Sequence, residues 1–369
     1  MKKIAFILPG RGLKPIGGFK IAYQYADYFA EIGYEVHLIY NYTNIFSFNS
    51  KSYSLIYKMR VFLGFCLRKI LCKLELSNWF NFKNEIHKDI LFCYKPFFFK
   101  KYKNYDVIFA TAVETAYVLN DLGYIPNKKK FYLIQDFENW KGNTDSFVYN
   151  SYKFPITKIV ISKWLQERVK KTGNSATIIP NGLDFDYFKL TNPIENRKSI
   201  EVSMLYHLDD RKRCCDSISA LEIVKKQIPD LHVTMFGVPQ KPDNLPDWYS
   251  YYQTPDKKTH NFIYNNSAIF LAASEKEGWA LPPAEAMQCG AALVCTDIGG
   301  FADYAISNKT ALISPVYDIN ALAQNLIRLI KNNELRIKLA KTGYKFIQQF
   351  TTESANLKIK TLVEKTIES

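Results

Sequence analysis

Lys3-Ile4-Ala5-Phe6-Ile7-Leu8-Pro9-Gly10 opens the chain with a continuous apolar run closed by turn residues. A strand buried on both faces of a parallel sheet reads this way, because helices cover each face and no polar alternation is needed. Gly10, Gly12, Gly17 and Gly18 follow, and then Phe19, Tyr23, Ala26, Phe29 and Ala30 recur at helical spacing up to Gly33. Glu35-Val36-His37-Leu38-Ile39-Tyr40 supplies a second strand, so the chain begins as a βαβ unit. Glycines ahead of a helix let backbone N–H groups approach an anion at the positive end of the helix dipole. The spacing is not G-x-G-x-x-G, and no acid ends the second strand to hold a ribose, which speaks against a nicotinamide cofactor.

Outward from this start, short apolar strands are expected at 105–111, 130–136, 158–162 and 177–179, with polar residues at their C-terminal ends. After Pro180 the alternation restarts, with strands at 201–206, 232–237, 268–272, 292–296 and 311–314 and helices beginning near Cys214, Pro282 and Ile319. Two successive βα arrays imply an α/β chain of two doubly wound, Rossmann-like domains facing across a cleft. The expected domains are 1–180 and 181–345, with a terminal helix over 346–369 packing across the junction. A length of 369 residues fits that reading, since one core stops growing near ~250–300 residues.

Composition narrows the class. With 47% apolar, 23% charged and 15% aromatic residues, the chain is globular rather than disordered, collagenous or coiled-coil. No run approaches the ~18 apolar residues of a membrane span, and five apolar residues after Lys2-Lys3 are too few for a secretory signal, so a cytoplasmic location is expected. Cys66, Cys72, Cys93, Cys214, Cys215, Cys289 and Cys295 form no C-x-x-C pair and read as buried thiols. Residues 1–180 hold 27 Lys and Arg against 13 Asp and Glu, whereas 181–369 hold 22 of each, so the entire net charge of +14 lies in the first half. It concentrates at 51–103, where 12 bases face 3 acids among 13 aromatics that include Phe62, Phe65, Trp79, Phe82 and Phe97-Phe98-Phe99. This stretch is either a helical pair with solvated lysines or a surface for anionic lipid or a polyanionic acceptor. No nucleic-acid recognition motif accompanies it.

The densest chemistry lies in Ser274-Glu275-Lys276-Glu277-Gly278-Trp279-Ala280-Leu281-Pro282-Pro283-Ala284-Glu285-Ala286-Met287-Gln288-Cys289-Gly290. Proline is tolerated in a first helical turn, so Pro282 or Pro283 starts a helix whose N-terminus faces the loop of Glu277, with Glu285 about one turn inside. Such a start can hold phosphate while Glu285 accepts from a ribose diol; equally, Glu285 can be a dipole-favoured residue and Glu277 a solvated charge. His207-Leu208-Asp209-Asp210-Arg211-Lys212-Arg213 follows the first strand of the second half, where a diphosphate would lie, unless Asp209 and Asp210 already balance the bases. Asp297-Ile298-Gly299-Gly300-Phe301-Ala302-Asp303 is a third and weaker feature.

Together these residues resemble the retaining glycosyltransferases of family 4, whose two-Rossmann-domain fold is called GT-B. Ile179-Pro180-Asn181-Gly182-Leu183-Asp184 is similar to the family's linker phrase, and Ser274-x-x-Glu277-Gly278-Trp279 followed by Glu285-Ala286-Met287 to its S-x-x-E-G-F…E-A-M signature. The resemblance implies Glu277 beside the donor sugar, backbone N–H groups from Gly278 and Trp279 through Ala280, Leu281 and Pro282 facing sugar and diphosphate, Glu285 on the ribose, and Lys212 on the diphosphate. His207 and Arg213 stand where the family's basic phrase has arginine and glycine, so Arg211 or Arg213 would join Lys212. Ala280 stands for a second glycine. Gln135-Asp136-Phe137-Glu138 replaces a usual His-Asp ending and is similar to a subgroup of bacterial surface-polysaccharide synthesis.

The resulting expectation is a retaining hexosyltransferase that uses a nucleoside-diphosphate sugar as substrate and a saccharide or lipid-linked saccharide as acceptor, at the inner face of the cytoplasmic membrane. Glu277, Lys212 and Arg211 are the catalytic candidates. Glu285, Gly278, Trp279, Ala280, Leu281, Pro282, His207 and Arg213 bind donor, and Gly17, Gly18, Asp136 and Glu138 line the acceptor side. No cofactor, metal or nucleic acid is expected. A nucleotide-sugar 2-epimerase, or a nucleotide-sugar- or polyanion-binding protein on the same scaffold, is the alternative.

Overall fold

The computed structural model describes residues 2–42, 54–71, 74–92, 100, 103–140 and 142–368. The chain divides into two compact units: Met1–Ile161 with Leu165–Ile179 and Asn356–Ser369, and Ser162–Trp164 with Pro180–Ala355.

The first unit is built on β1 (Lys3–Leu8), α1 (Gly17–Glu31), β2 (Glu35–Asn41), α2 (Leu55–Ile70), β3 (His87–Leu91), β4 (Val107–Ala110), α3 (Val113–Asp121), β5 (Lys130–Ile134), α4 (Asp145–Tyr152), β6 (Thr157–Val160), α5 (Lys163–Lys170) and β7 (Thr177–Ile178). Its strands pair in parallel in the order β3-β2-β1-β4-β5-β6-β7. The opening run is central for a physical reason. Ile4 to Leu8 have no exposed surface, and Phe6 stacks on Phe109 at 4.8 Å, so both faces of β1 are covered.

In the second unit β8 (Glu201–Leu205), α6 (Cys214–Gln227), β9 (His232–Gly237), β10 (Tyr249–Gln253), α7 (Lys257–Asn266), β11 (Ile269–Ala272), α8 (Leu281–Gln288), β12 (Ala292–Thr296), β13 (Ala311–Ser314), α9 (Ile319–Lys331) and α10 (Asn333–Ile347) form another parallel array, ordered β10-β9-β8-β11-β12-β13. Val202, Met204, Val233, Met235, Ile269, Leu271 and Val294 make its core with the buried faces of α6 and α9. Both sheets reverse direction beside their first strand, at β1/β4 and at β8/β11. In doubly wound sheets ligands bind at the carboxyl ends of the strands flanking that point.

Four expectations need correction. Among the described residues the stretch 51–103 holds one helix, α2, and the edge strand β3 rather than a helical pair, and the half-buried Trp79, Phe80 and Phe82 surround Tyr23 at 5.3–5.5 Å. Cys215 is exposed on α6, and Cys66 is half-buried beside Phe65 and Phe92, so neither is a fully buried thiol. The strand β10 was absent from the sequence reading, since Tyr249-Ser250-Tyr251-Tyr252 lacks the aliphatic run of its neighbours. The terminal helix α11 (Thr352–Glu368) starts later than 346, with Ile359 and Val363 buried. Phe97-Phe98-Phe99, Lys101, Cys72 and Cys93 lie outside the described residues.

Candidate functional site

The loops after β8 and β11 meet at the switch point of the second unit. Asp209 accepts the Arg211 N–H and opens a single 3-10 turn, Asp210–Lys212, which the left-handed Arg213 (φ 47°) ends before α6 begins. The Glu275 N–H donates to the Arg211 carbonyl at 2.9 Å, tying one loop to the other. Lys212 Nζ thereby reaches Glu277, donating to Oε1 at 2.6 Å and Oε2 at 2.7 Å, and Ser274 Oγ donates to the same Oε1 at 2.8 Å. The lysine and glutamate side chains are 22% and 12% exposed, so the pair is shielded without being sealed. Leu205, Ser217, Ala272, Ser274 and Pro282 line a small cavity with them.

The other bases are engaged elsewhere. Arg211 folds back on Asp209, with Nε and the guanidinium NH2 group donating to its carboxylate at distances down to 2.6 Å. Arg213 makes a two-point pair with Asp216 and lies 5.0 Å over the Tyr317 ring. Each guanidinium thus has its own carboxylate, whereas Lys212 reaches Glu277. His207 Nδ1 accepts the Asp209 N–H at 2.9 Å, which puts the proton of a neutral ring on Nε2. Burial and then the Lys212 charge push the His207 pKa below its ordinary range, favouring that neutral form.

Helix α8 starts at Leu281, one residue before Pro282. Two of its first three positions are proline and carry no N–H, so donors for an anion there reduce to Leu281 and the loop before it, together with the dipole. Trp279 is 4% exposed, packed on Tyr304 at 5.0 Å and Phe350 at 5.5 Å. Its ring is an anchor, with the buried Nε1–H left without a hydrogen-bond partner among the described residues. Gly278 is held through its carbonyl, which accepts from Trp164 Nε1 at 2.8 Å. Ala280 caps the helix at φ −72°, so its methyl group costs no strain, and its carbonyl accepts from Tyr304.

Glu285, in the second turn of α8, is 5% exposed and accepts from Tyr264 Oη at 3.2 Å. Burial and then the Glu285 charge raise the pKa of Tyr264, so it stays a donor; burial and the same carboxylate act on Tyr187. Neither tyrosine was singled out from sequence, because both sit in unremarkable aromatic helical or turn contexts. Gly299 and Gly300 acquire a reason: a Cβ at 300 would lie 2.5 Å from the Glu277 carbonyl and Cβ, and one at 299 2.4 Å from Trp164. Asp303 accepts the Lys163 N–H, and burial raises its pKa. Asp184-Phe185-Asp186 has a D-x-D spacing able to chelate a cation, yet Asp184 Oδ1 is spent on the N–H groups of Asp186 and Tyr187.

In the first unit Gly17 and Gly18 are the first residues of α1, preceded by Ile16, whose side chain offers no cap. Gln135 Nε2 donates to the Gly18 carbonyl at 3.1 Å. Asp136 Oδ1 accepts the Phe137 N–H, and Glu138 Oε2 accepts the Val113 N–H at 2.6 Å, capping α3. Glu138 is therefore first of all a helix cap.

A separate ionic cluster lies at the opposite, N-terminal ends of β2 and β3. His37 contacts Asp89 at 3.2 Å and Glu35 at 3.1 Å, Glu35 also pairs with Lys3 at 2.8 Å, and the rings of His87 and Tyr105 flank His37. Burial opposes charge on His37, but the two carboxylates outweigh it and its pKa rises above 6.5. Its contribution to stability is then complete below pH 6.5 and lost as pH rises through the folded value. The melting temperature of the natural chain is expected to fall as pH rises above 6.5, and that fall is expected to be absent in His37→Gln; equal pH profiles of the two melts would refute the pairing.

The two sheets and the switch-point site define a GT-B fold. Residues 191–346, all in the second unit, match the family model described as "Glycosyl transferases group 1". An uncharacterized glycosyltransferase, YqgM of Bacillus subtilis, is 22% identical over 197 residues, 50% of this chain and 54% of that protein. The matches cover no more than 54% of the length of these curated relatives. Among solved structures, sucrose-phosphate synthase of Thermosynechococcus elongatus superposes with TM-score 0.71 at 18% identity, covering 99% of both chains. HepE of Anabaena, in complex with UDP and glucose, superposes with TM-score 0.73 at 14% identity, covering 99% of this chain and all of that one.

Proposed function

We propose that the second unit binds a nucleoside-diphosphate sugar and that the chain transfers its hexose, with retained configuration, to a saccharide acceptor, lipid-linked, in the synthesis of surface polysaccharide or glycan. The observation that carries this reading is the Lys212–Glu277–Ser274 node at the β8/β11 switch point, beside the start of α8 and the buried Glu285. The likeness to a structure holding UDP and glucose supports it.

In the transfer, the bond from the anomeric carbon to a diphosphate oxygen breaks and a bond to the acceptor oxygen forms. The acceptor proton leaves with the released diphosphate. Charge grows on that diphosphate, and Lys212, with the Leu281 N–H and the α8 dipole, is placed to stabilise it without a metal. Glu277 already accepts from Lys212 and Ser274, so it serves better as an acceptor for sugar hydroxyls than as a nucleophile. Glu285 and Tyr264 take the ribose hydroxyls. The acceptor is assigned to the first unit's loops around Gly17, Gly18 and Asp136. Incubation with donor alone and with donor plus saccharide acceptor, followed by product analysis, separates transfer from epimerisation.

Glu285→Gln is expected to weaken nucleoside diphosphate binding by about 1.5–3 kcal/mol while the thermal melt stays near that of the natural chain. Calorimetric titration with UDP reads the loss, and unchanged affinity removes the ribose assignment.

A further inference from the structure

Among the described residues, helix α2 meets the first unit around Phe65. Phe65 is buried against Phe92, and Val61, Cys66 and Tyr42 pack around them. The opposite side carries Leu55, Met59, Ile70, Leu63, Ile56 and Leu67, which at 100° per residue fill a continuous arc of about 120°. All six face solvent, with Ile56 79%, Ile70 78% and Leu55 73% exposed. Lys58 and Lys69 lie beyond one edge of this arc and Arg60 beyond the other, while Arg68 falls on the packed side and donates to Tyr42 Oη at 3.0 Å; the helix contains no acidic residue. A monomer in water rarely leaves so long an apolar stripe uncovered, and polar or basic flanks around such a stripe mark a surface that meets another phase.

We propose that α2 lies flat in the surface of an anionic lipid bilayer, its apolar arc inserted among the acyl chains and Lys58, Arg60 and Lys69 against the headgroups. The helix cannot span: 16 residues rise about 24 Å, short of a hydrocarbon core of about 30 Å, and four bases interrupt it. Among the described residues no helix is long and apolar enough to cross a membrane. Charge complementarity decides for lipid over a second copy of the chain, because two copies of this face would set six bases against each other with no acid between them. Long basic side chains can keep their charges at the headgroups while their stems lie along the inserted face. The emphasis thus moves from lysine-driven adsorption of the whole 51–103 stretch to insertion of one helix face. The inference deepens the lipid-linked acceptor of the proposed function, since it would hold the first unit at the surface where such an acceptor resides.

The test is co-sedimentation of the full chain with vesicles of phosphatidylcholine alone and of phosphatidylcholine with phosphatidylglycerol. Strong binding to the anionic vesicles is expected, weakened by high salt but leaving a remainder, because screening removes the ionic part and not the inserted one. Leu63→Ser with Leu67→Ser should lower partitioning at least about tenfold, since both side chains lose their apolar transfer. These positions are 62% and 59% exposed, so the melt should not change. Changing Lys58, Arg60 and Lys69 to Gln should abolish the preference for anionic over neutral vesicles. Equal vesicle binding by the serine variant overturns the proposal, as does a dimer of the natural chain in light scattering that the same substitutions dissolve. UDP titration in parallel keeps the readings apart: vesicle binding without UDP binding defeats the transferase reading and leaves α2 standing, while the reverse does the opposite.

Discussion

Lys212→Ala should lower turnover by about 10²–10³-fold, the loss seen when one preorganised donor is removed from developing negative charge. The side chain is the base that reaches across the two switch-point loops, and its ammonium touches both oxygens of Glu277. Substitution for it by neighbouring bases is disfavoured, because Arg211 and Arg213 are held by Asp209 and Asp216. Affinity for a nucleoside diphosphate should fall much more than affinity for the nucleoside, since the proposed partner is phosphate alone. Paired titrations read this difference, and equal losses for the two ligands would show that Lys212 acts on the loop rather than on the diphosphate. Glu277→Gln is the companion: it keeps the acceptor geometry on one oxygen while removing the charge, so it separates loss of the ion pair from loss of the lysine.

Gly300→Ala should cut turnover by about 10²-fold although residue 300 carries no functional group. Its Cβ would stand 2.5 Å from both the carbonyl oxygen and the Cβ of Glu277 and 2.8 Å from the carbonyl carbon, and a backbone segment must shift to admit it. A displacement of about 1 Å in a positioning group is enough for an effect of that size. Stability should fall by about 1–3 kcal/mol, the usual cost of overpacking a tight contact. Gly33→Ala is a useful contrast: φ is +90° there, but nothing lies within 4 Å, so only backbone strain is added, far from the site. Steady-state kinetics with a thermal melt distinguish the cases. If Gly300→Ala retains full turnover, the close approach of residues 277 and 300 does not position the carboxylate.

Much of the site was legible because its chemistry is concentrated in short phrases. The passage from Ser274 to Gly290 places a proline-started helix, a loop carboxylate and an internal carboxylate at spacings that survive folding, since one turn of helix is a local quantity. Lys212 was legible as a base in a strand-to-helix loop. Its partner was not, because the pairing crosses 65 residues and depends on β8 and β11 being neighbours. Arg211 and Arg213 were expected beside Lys212, and the 3-10 turn with its left-handed end turns them to Asp209 and Asp216. Glu138 read as a cleft residue and serves as the cap of a helix 25 residues earlier in the chain.

By itself the sequence determined the alternation of buried strands and helices, the restart after Pro180 and hence the class of fold. Those properties follow from periodicity, from glycine and proline punctuation and from the need to cover both faces of a parallel sheet. Tertiary structure alone decided which charges meet, why Gly299 and Gly300 are glycine, and which way the apolar side of α2 faces. Charge pairing and close approach depend on distances between segments far apart in the chain. The stripe of α2 looks the same in sequence whether it meets a core or a lipid surface, and only the packing of Phe65 on Phe92 on the other side shows that the core has already taken its share.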